Sequence, residues 1–233
     1  MSSSKITYLN KNKKKDYLYI LDIDGTLIDS GGAGRKSMEK ACESLFGQTI
    51  KLNAKDVAGR TDSYIFKHIL KKIYPKNRFS VDLTEFKTVY IRNLLEELRD
   101  KPTNYLKGAR EFTDFLEKSS GYTPALLTGN FKKAAKIKLK EIADKFEFGA
   151  YGDIKTNRND LFFDALGLYQ KKYNKNPDKT VVIGDTPFDI ECAIKGNAIS
   201  VAVSTGPYSK EDLKAADFVL EDLSQWPSLL ESI

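Results

Sequence analysis

The sequence predicts an α/β fold in which a parallel sheet has helices on both faces and is interrupted by an inserted helical domain. Three observations lead to this prediction. Short runs that are apolar on both faces alternate with segments of helical periodicity along most of the chain. One long interval has helical periodicity only. Acidic or small polar residues directly follow several apolar runs, where a parallel sheet has its ligand-binding edge.

The predicted core strands and helices alternate in chain order. The first strand covers residues 17–23, and four further apolar runs follow the helical interval. These four runs are residues 123–128, 180–184, 199–203 and 217–220. Helical patterns lie between them, at residues 131–146, 158–173 and 188–197. This alternation is typical of a parallel sheet covered by helices.

Residues 31–102 are predicted to form a helical cap domain. Their apolar positions recur at helical spacing in three segments, and no stretch has good strand character. Gly31, Gly32 and Gly34 would form the hinge at the start of this domain, and Lys101-Pro102 would mark the point where the chain returns to the core. The core domain then consists of residues 17–30 and 103–233.

Length and composition are those of a globular protein. The chain has 233 residues, 41% of them hydrophobic and 30% charged, enough for one sizeable core and a smaller second one. The formal net charge is +6, with a lysine-rich run near the N-terminus. Because such runs are more often solvated than bound, we expect no nucleic-acid partner, although a basic surface attracts anionic small molecules.

Cysteine usage and the N-terminal segment favour a cytoplasmic protein. Cys42 and Cys192 lie far apart and outside any metal-binding spacing, so we expect neither a disulfide framework nor a zinc site. Residues 1–16 form a polar leader without the apolar core of a signal peptide, and no run is long enough to span a membrane. We therefore expect no membrane partner; the sequence indicates no oligomeric state.

Two aspartates end the first predicted strand. Side chains alternate along a strand, so Asp22 and Asp24 project to the same side if the strand continues that far. Two carboxylates this close repel each other, and burying an uncompensated charge is costly. A cation is therefore expected between them, and an all-oxygen site that keeps several waters suits Mg²⁺.

The same two carboxylates are of the type needed for phosphoryl transfer. A carboxylate can attack phosphorus to form an aspartyl-phosphate if a metal ion and a fixed Lys or Arg neutralise the repulsion. A second acid two residues later can protonate the leaving oxygen and then deprotonate the attacking water. By itself this pair of aspartates is weak evidence for phosphoryl transfer, because acidic pairs at strand ends often belong only to turns or helix caps.

Two later strand ends provide further polar groups. Thr128, Gly129 and Asn130 can hold phosphate oxygens through a hydroxyl and backbone N–H groups at a helix start; a simple turn is the alternative. Asp185 and Asp189 follow the next apolar run, where a helix N-cap is the alternative. Acidic residues after another apolar strand repeat the pattern of the first.

Together, DIDGT at residues 22–26, LLTGN at 126–130 and GDTPFD at 184–189 resemble the motifs of the haloacid dehalogenase-like hydrolase superfamily. The resemblance is to its phosphoglycolate phosphatase-like members with a helical cap. It implies a Rossmann-like core and an Mg²⁺-dependent phosphatase that acts on a small phosphorylated metabolite.

The resemblance also implies a role for each motif residue. Asp22 is expected to be the nucleophile and Asp24 the general acid/base. Thr128 is expected to bind phosphate, and Asp185, supported by Asp189, to bind Mg²⁺. In the family the nucleophile also binds the metal through its side chain, and the general acid/base through its backbone carbonyl, so Asp22 and Asp24 are candidate metal ligands.

The remaining cation and the specificity residues are less defined. The family commonly has a Lys-Pro pair before the next helix; this chain has no such proline, and we favour Arg158 over Lys155 as the phosphate-binding cation. The segment VAGRTD resembles the family's cap loop and is also typical of a helix N-terminus. It makes Arg60 and Asp62 candidates for specificity, and Arg35, after the hinge glycines, could reach a substrate carboxylate.

Two alternatives to a phosphatase remain open. A phosphomutase or other phosphotransferase uses the same aspartyl-phosphate but passes the phosphoryl group to a sugar. A non-catalytic protein would use the basic surface to bind RNA or a membrane, although the complete set of acids argues against it. A dehalogenase is disfavoured, because its reaction needs neither an acid at Asp24 nor a metal. His68 is expected at the surface or in packing, and Trp226 as a core or edge anchor.

Overall fold

The secondary structure alternates as predicted over most of the core. The structure is a computed structural model that describes residues 15–74 and 82–233, so predictions for the first 14 residues of the leader lie outside it. The strands are β1 (Tyr17–Leu21), β2 (Ile28–Asp29), β3 (Asn104–Tyr105), β4 (Tyr122–Thr128), β5 (Phe148–Tyr151), β6 (Lys179–Gly184), β7 (Ile199–Val203) and β8 (Phe218–Leu220). The α-helices are α1 (Ala33–Phe46), α2 (Ala54–Val57), α3 (Asp62–Ile73), α4 (Leu83–Asp100), α5 (Ala109–Lys118), α6 (Lys132–Leu139), α7 (Arg158–Tyr173), α8 (Pro187–Lys195) and α9 (Trp226–Ser232).

A six-stranded parallel sheet organises the core. Its strand order is β5-β4-β1-β6-β7-β8, which confirms the predicted α/β class. Leu21 lies beside Leu126 of β4 on one side and beside Ile183 of β6 on the other. Because these strands are parallel and in register, the residues that follow them meet at one edge of the sheet.

Helices cover both faces of the sheet, since the residues of β1 alternate between two hydrophobic clusters. Tyr19 and Leu21 belong to a cluster that includes Phe112 of α5. Leu18 and Ile20 belong to a second cluster with residues of α7 and α8. All five side chains are completely buried, which explains why β1 is apolar on both faces.

The helices between β2 and β3 form a further hydrophobic cluster, which also includes Phe131 and Ala134 at the start of α6. Its centre contains Phe66, Phe86 and Tyr90, whose rings are in contact. β2 and β3 pair antiparallel, with Ile28 opposite Tyr105, and so bring together the two segments that connect these helices to the core. We call residues 28–32, from β2 to the start of α1, the first linker, and residues 101–105, from the end of α4 through β3, the second linker. The exact cap boundaries at residues 31 and 102 stay a prediction.

The helix predicted over residues 131–146 is broken after α6, and a 3₁₀ helix (Lys140–Lys145) follows. Lys140 has a φ of 51°, in the left-handed region that ends helices. The hydroxyls of Thr103 and Tyr105 donate to the last two carbonyls of α6, at 3.0 and 2.7 Å. Contacts with the second linker therefore accompany the break, and no local pattern in the helix indicates them.

His68, Trp226 and the two cysteines lie away from the carboxyl edge of the sheet. His68 is exposed on α3, where its ring stacks on Tyr64. Trp226 packs on Phe115, with ring centroids 4.6 Å apart. Both cysteines are buried and unpaired. Over the described ranges, no helix combines the length and the apolar character needed to cross a membrane.

Candidate active site

A cavity of about 360 Å³ lies at the carboxyl edge of the sheet, beneath the helices between the two linkers. Residues after β1, β4 and β6 contribute to its floor, and α1, α3 and α4 to its walls. Most residues predicted to form the site line this cavity. These are Asp22, Asp24, Arg35, Arg60, Asp62, Thr128, Gly129, Asn130, Arg158 and Asp185.

The two aspartates after β1 have different surroundings. The N–H of Asp22 donates to the carbonyl of Ile183 at 2.9 Å, so strand pairing continues to this residue. The chain then turns at Gly25, whose φ of 80° favours glycine. A Cβ at Gly25 would lie 2.3 Å from a carboxylate oxygen of Asp185, so this turn passes directly over the acidic cluster. Asp24 joins a separate group of polar side chains.

The first group is an acidic triad with one buried cation. Carboxylate oxygens of Asp22, Asp185 and Asp189 lie within 4.8 Å of one another, and all three residues are buried. Arg158, the first residue of α7, places Nη2 3.0 Å from Asp22 and 2.6 Å from Asp189. Lys155 is half exposed, 3.9 Å from Asp164, and is not among the residues lining the cavity. Of the two candidate cations, Arg158 is thus the one in contact with Asp22.

The triad has the charge and the ligand types for a divalent cation. Three ionised carboxylates and one guanidinium leave an excess of two negative charges. Burial raises the pKa of Asp22 to about 6 despite the nearby Arg158, and burial together with Asp22 and Asp189 raises the pKa of Asp185 well above its usual value. A cation would remove this penalty, and oxygen-only ligands fit Mg²⁺.

Asp189 also has the helix-capping role that was the alternative for it. Its Oδ2 accepts from the N–H of Thr186 at 3.1 Å and from its hydroxyl at 2.7 Å, and a capping box is present at the start of α8. Its Oδ1 accepts from Arg158. Asp189 therefore has the capping role, its carboxylate is fixed from two sides, and its support of a metal ion stays a prediction.

The second group surrounds Asp24, whose side chain lies outside the acidic triad. Asp24 accepts from the hydroxyl of Ser30 at 2.9 Å and from the amide of Asn130 at 2.8 Å. Lys138 contacts both of its oxygens, at 3.0 and 2.8 Å. Burial by itself would raise the pKa of Asp24, but Lys138, Asn130 and Ser30 together hold it below its usual value.

Lys138 was not predicted as a site residue. It is only 4% exposed, on the face of α6 that also buries Ala134 and Ala135. A lysine at an apolar position of a helical pattern is the one sequence signal that could have indicated it, since buried lysines need a partner. The partner, Asp24, lies more than a hundred residues earlier in the chain.

The loop after β4 combines the predicted phosphate-binding residues. Thr128 is completely buried, and its Oγ1 accepts from the side-chain amide of Asn130 at 2.8 Å. The loop leads into the N-terminus of α6, a helix end that favours negative charge, and there the N–H groups of Phe131 and Lys132 donate to the carboxylates of Asp62 and Asp153. The placement fits phosphate binding, and the roles of Thr128, Gly129 and Asn130 stay predictions.

The segment before α3 packs directly against this loop. The N–H of Asp62 donates to the carbonyl of Gly129 at 2.7 Å, and the N–H of Phe131 donates to the Asp62 carboxylate at 2.8 Å. Burial raises the pKa of that carboxylate to about 7. Thr61 caps α3, so the segment is the N-terminus of a helix, and its role as the cap loop stays a prediction. The Arg60 guanidinium lies over the rings of Tyr64 and Phe188.

Arg35 lies on the cavity wall and is partly engaged by the protein itself. Its Nη1 donates to Glu39 at 3.2 Å and to the carbonyl of Leu52 at 3.1 Å. These contacts fix the guanidinium at the cavity, where it stays a candidate for specificity with Arg60 and Asp62.

The fold and its acidic edge place the chain among α/β hydrolases that carry a helical insertion. The haloacid dehalogenase-like hydrolase family matches residues 19–203. A relative from Caldanaerobacter subterraneus subsp. tengcongensis that carries the name pyrophosphatase PpaX is 27% identical over 218 residues, 88% of this chain and 90% of the relative. The phosphoglycolate phosphatase of Aquifex aeolicus is 22% identical, over 91% of this chain and 96% of its own.

A solved structure with the same fold is a hydrolase from Pseudomonas syringae. It has a TM-score of 0.72 at 23% identity and covers 94% of this chain and 99% of its own. The chain described here belongs to the haloacid dehalogenase-like hydrolase family. It is therefore an enzyme, as the motifs at the strand ends predicted.

Gly129→Ala should impair hydrolysis, because an added Cβ would lie 1.9 Å from the carbonyl oxygen of Arg60 and would push the cap away from the loop. Misplacement of about 1 Å at an active site can cost 10²-fold, and we expect a fall in turnover of about that size. Gly167→Ala is the matched control, since its Cβ meets nothing within 4 Å. Equal turnover in both variants would contradict this role of the contact.

Asp185→Asn should raise the thermal unfolding midpoint at pH 7 without metal by at least about 2 °C, because it removes a buried charge that Asp22 and Asp189 repel. An acid with a raised pKa binds more protons when folded, so wild-type stability falls as pH rises from about 4. The difference should therefore shrink at pH 5. Millimolar Mg²⁺ should raise the wild-type midpoint more than that of the variant.

Thermal unfolding of Asp144→Asn is the control for this prediction, because Asp144 is an exposed acid outside the triad. It should respond to pH and Mg²⁺ as the wild type does. An equal response to Mg²⁺ in Asp185→Asn would show that the triad does not hold the ion.

Proposed function

We propose that the protein is an Mg²⁺-dependent phosphatase that hydrolyses a small phosphate monoester through an aspartyl-phosphate on Asp22. The observation that carries the proposal is the contact of Asp22 with Arg158 at 3.0 Å, within a buried triad whose charge excess fits a divalent cation. Membership of the hydrolase family supports it, as do the names of the two relatives.

Asp22, Asp185 and Asp189 would hold Mg²⁺, together with the backbone carbonyl of Asp24. When bound, the ion reduces the repulsion between the carboxylate and the phosphate. The carboxylate of Asp22 then attacks phosphorus, and Arg158 orients it. The bond from phosphorus to the leaving oxygen breaks as the bond to Asp22 forms.

The groups around the phosphate have separate tasks in this mechanism. The hydroxyl of Thr128 and the N–H groups of Gly129 and Asn130 would donate to the non-bridging oxygens. In this mechanism Asp24 enters the step protonated, gives that proton to the leaving oxygen and is left as a carboxylate. It then takes a proton from water, which attacks phosphorus, releases inorganic phosphate and restores the Asp22 carboxylate.

The enclosed site favours a small substrate. The cavity of about 360 Å³ has to contain both the phosphate and the leaving group beneath the cap residues Arg35, Arg60 and Asp62. Closure of the cap over a bound substrate would also exclude bulk water, which would strengthen the electrostatic interactions at the reacting centre. A phosphomutase would use the same core groups, and its product distinguishes it from a phosphatase.

Release of inorganic phosphate from a panel of monoesters, with 2-phosphoglycolate, phosphosugars and pyrophosphate included, tests the proposal. We expect turnover with Mg²⁺, none with EDTA, and a loss of at least about 10³-fold in Asp22→Asn, because the nucleophile is removed. Asp144→Asn should match the wild type. Metal-independent turnover, or activity retained in Asp22→Asn, would contradict the mechanism; phosphate transfer between sugars without net release would indicate a mutase.

Substitution of the two candidate cations tests which one serves the phosphate. Arg158→Met should lower kcat/KM by about 10²-fold or more, because the guanidinium touches Asp22, while Lys155→Met should leave it within about twofold. Arg158→Lys should retain part of the activity, and the unfolding midpoint of each variant separates folding effects from catalysis. The opposite order of effects would assign the role to Lys155.

A further inference from the structure

We propose that Lys138 is a positioning residue that holds the carboxylate of Asp24 for proton transfer to the leaving group. The inference rests on the proposed function, in which Asp24 is the general acid/base. Besides Arg158, it places a second cation in contact with one of the two aspartates after β1, with a task different from that of Arg158. Sequence motifs do not include this lysine.

The contacts of Lys138 account for all three of its donors. Its Nζ lies 3.0 and 2.8 Å from the two oxygens of Asp24 and 2.7 Å from the side-chain oxygen of Asn130. The side chain is 4% exposed. These bonds hold the Asp24 carboxylate through both oxygens, whereas Ser30 and Asn130 each contact one.

The surroundings of Lys138 are built to place its ammonium group. The carbonyl of Lys138 accepts from the hydroxyl of Thr103 in the second linker at 3.0 Å. Gly34 leaves the space for the ammonium group, because a Cβ there would lie 2.9 Å from Nζ. Ser30, on the first linker, donates to Asp24 itself. The acid and the lysine that holds it are thus each bonded to one linker.

This geometry assigns Lys138 a role in proton transfer and not in phosphate binding. Arg158 contacts the nucleophile candidate Asp22, while the bonds of Lys138 go to Asp24 and Asn130. Proton transfer requires the carboxylate within about 2.6–3.2 Å of the leaving oxygen. A carboxylate held through two oxygens loses the rotation that would carry it out of that range.

Dependence on the leaving group distinguishes such a role from a merely structural one. The value of kcat/KM covers the steps up to formation of the aspartyl-phosphate. An alkyl leaving oxygen needs a proton in that step, whereas p-nitrophenolate leaves without one. Loss of the positioning residue should therefore slow alkyl phosphates more than p-nitrophenyl phosphate.

We would measure kcat/KM with Mg²⁺ for p-nitrophenyl phosphate and for the best alkyl phosphate of the panel, in wild type, Lys138→Met, Lys138→Arg, Asp24→Asn and the double variant. Lys138→Met should lose about 10²-fold on the alkyl ester and less than about fivefold on p-nitrophenyl phosphate. Lys138→Arg should recover part of the loss. Lys138→Met should add little in the Asp24→Asn background, because it acts through Asp24.

Several results would overturn the inference. Equal losses on both esters, a rise in KM alone, or additive losses in the double variant would each exclude a role through Asp24. If Lys138→Met does not fold, comparison of the double variant with Asp24→Asn decides, since the double variant has no unpaired buried charge. If Asp24→Asn loses no more activity on the alkyl phosphate than on p-nitrophenyl phosphate, the proposed acid/base role itself is overturned. If Asp24→Asn shows this difference between the two esters and Lys138→Met does not, only the inference about Lys138 is overturned.

Discussion

The buried excess of negative charge at the sheet edge is the constraint on which the rest of the site depends. Asp22, Asp185 and Asp189 come from two strand ends and one helix, and they meet because β1 and β6 are neighbouring parallel strands. Such a cluster is tolerated only with opposite charge beside it. Arg158 supplies one charge from the start of α7, and a divalent cation would neutralise the remainder. The close approach at Gly25 follows from the same crowding.

Asp22 and Asp24, the two aspartates after β1, belong to separate groups of side chains and therefore have different chemical surroundings. The turn at Gly25 leaves Asp22 beside Arg158 and turns Asp24 towards Lys138. Burial raises the pKa of Asp22, whereas at Asp24 the ammonium group of Lys138 and the hydrogen bonds together outweigh burial and lower the pKa. Two identical side chains in one motif thus have different electrostatic surroundings.

The sequence predicted the parts of the site that depend on local pattern. Strand ends carry Asp22, Thr128 and Asp185, and apolar runs followed by polar residues are visible along the chain. The position of Lys138 beside Asp24 is a tertiary contact, so no local spacing reports it. The choice between Lys155 and Arg158 depends on which residue begins α7 and faces inward. The two-residue strands β2 and β3 are too short to produce a periodic pattern, and they pair with each other across a long stretch of sequence.

Hydrogen bonds join the helical insertion to the loop after β4. Movement of the insertion therefore also affects the conformation of that loop. Asp62 donates its N–H to the carbonyl of Gly129 and accepts from the N–H of Phe131 through its carboxylate, so movement of the insertion away from the core has to break those bonds. The first linker also carries Ser30, which bonds the proposed general acid. In the proposed mechanism, an opening motion would therefore disturb phosphate binding and proton transfer together, because both use groups that are bonded to the insertion or to its first linker.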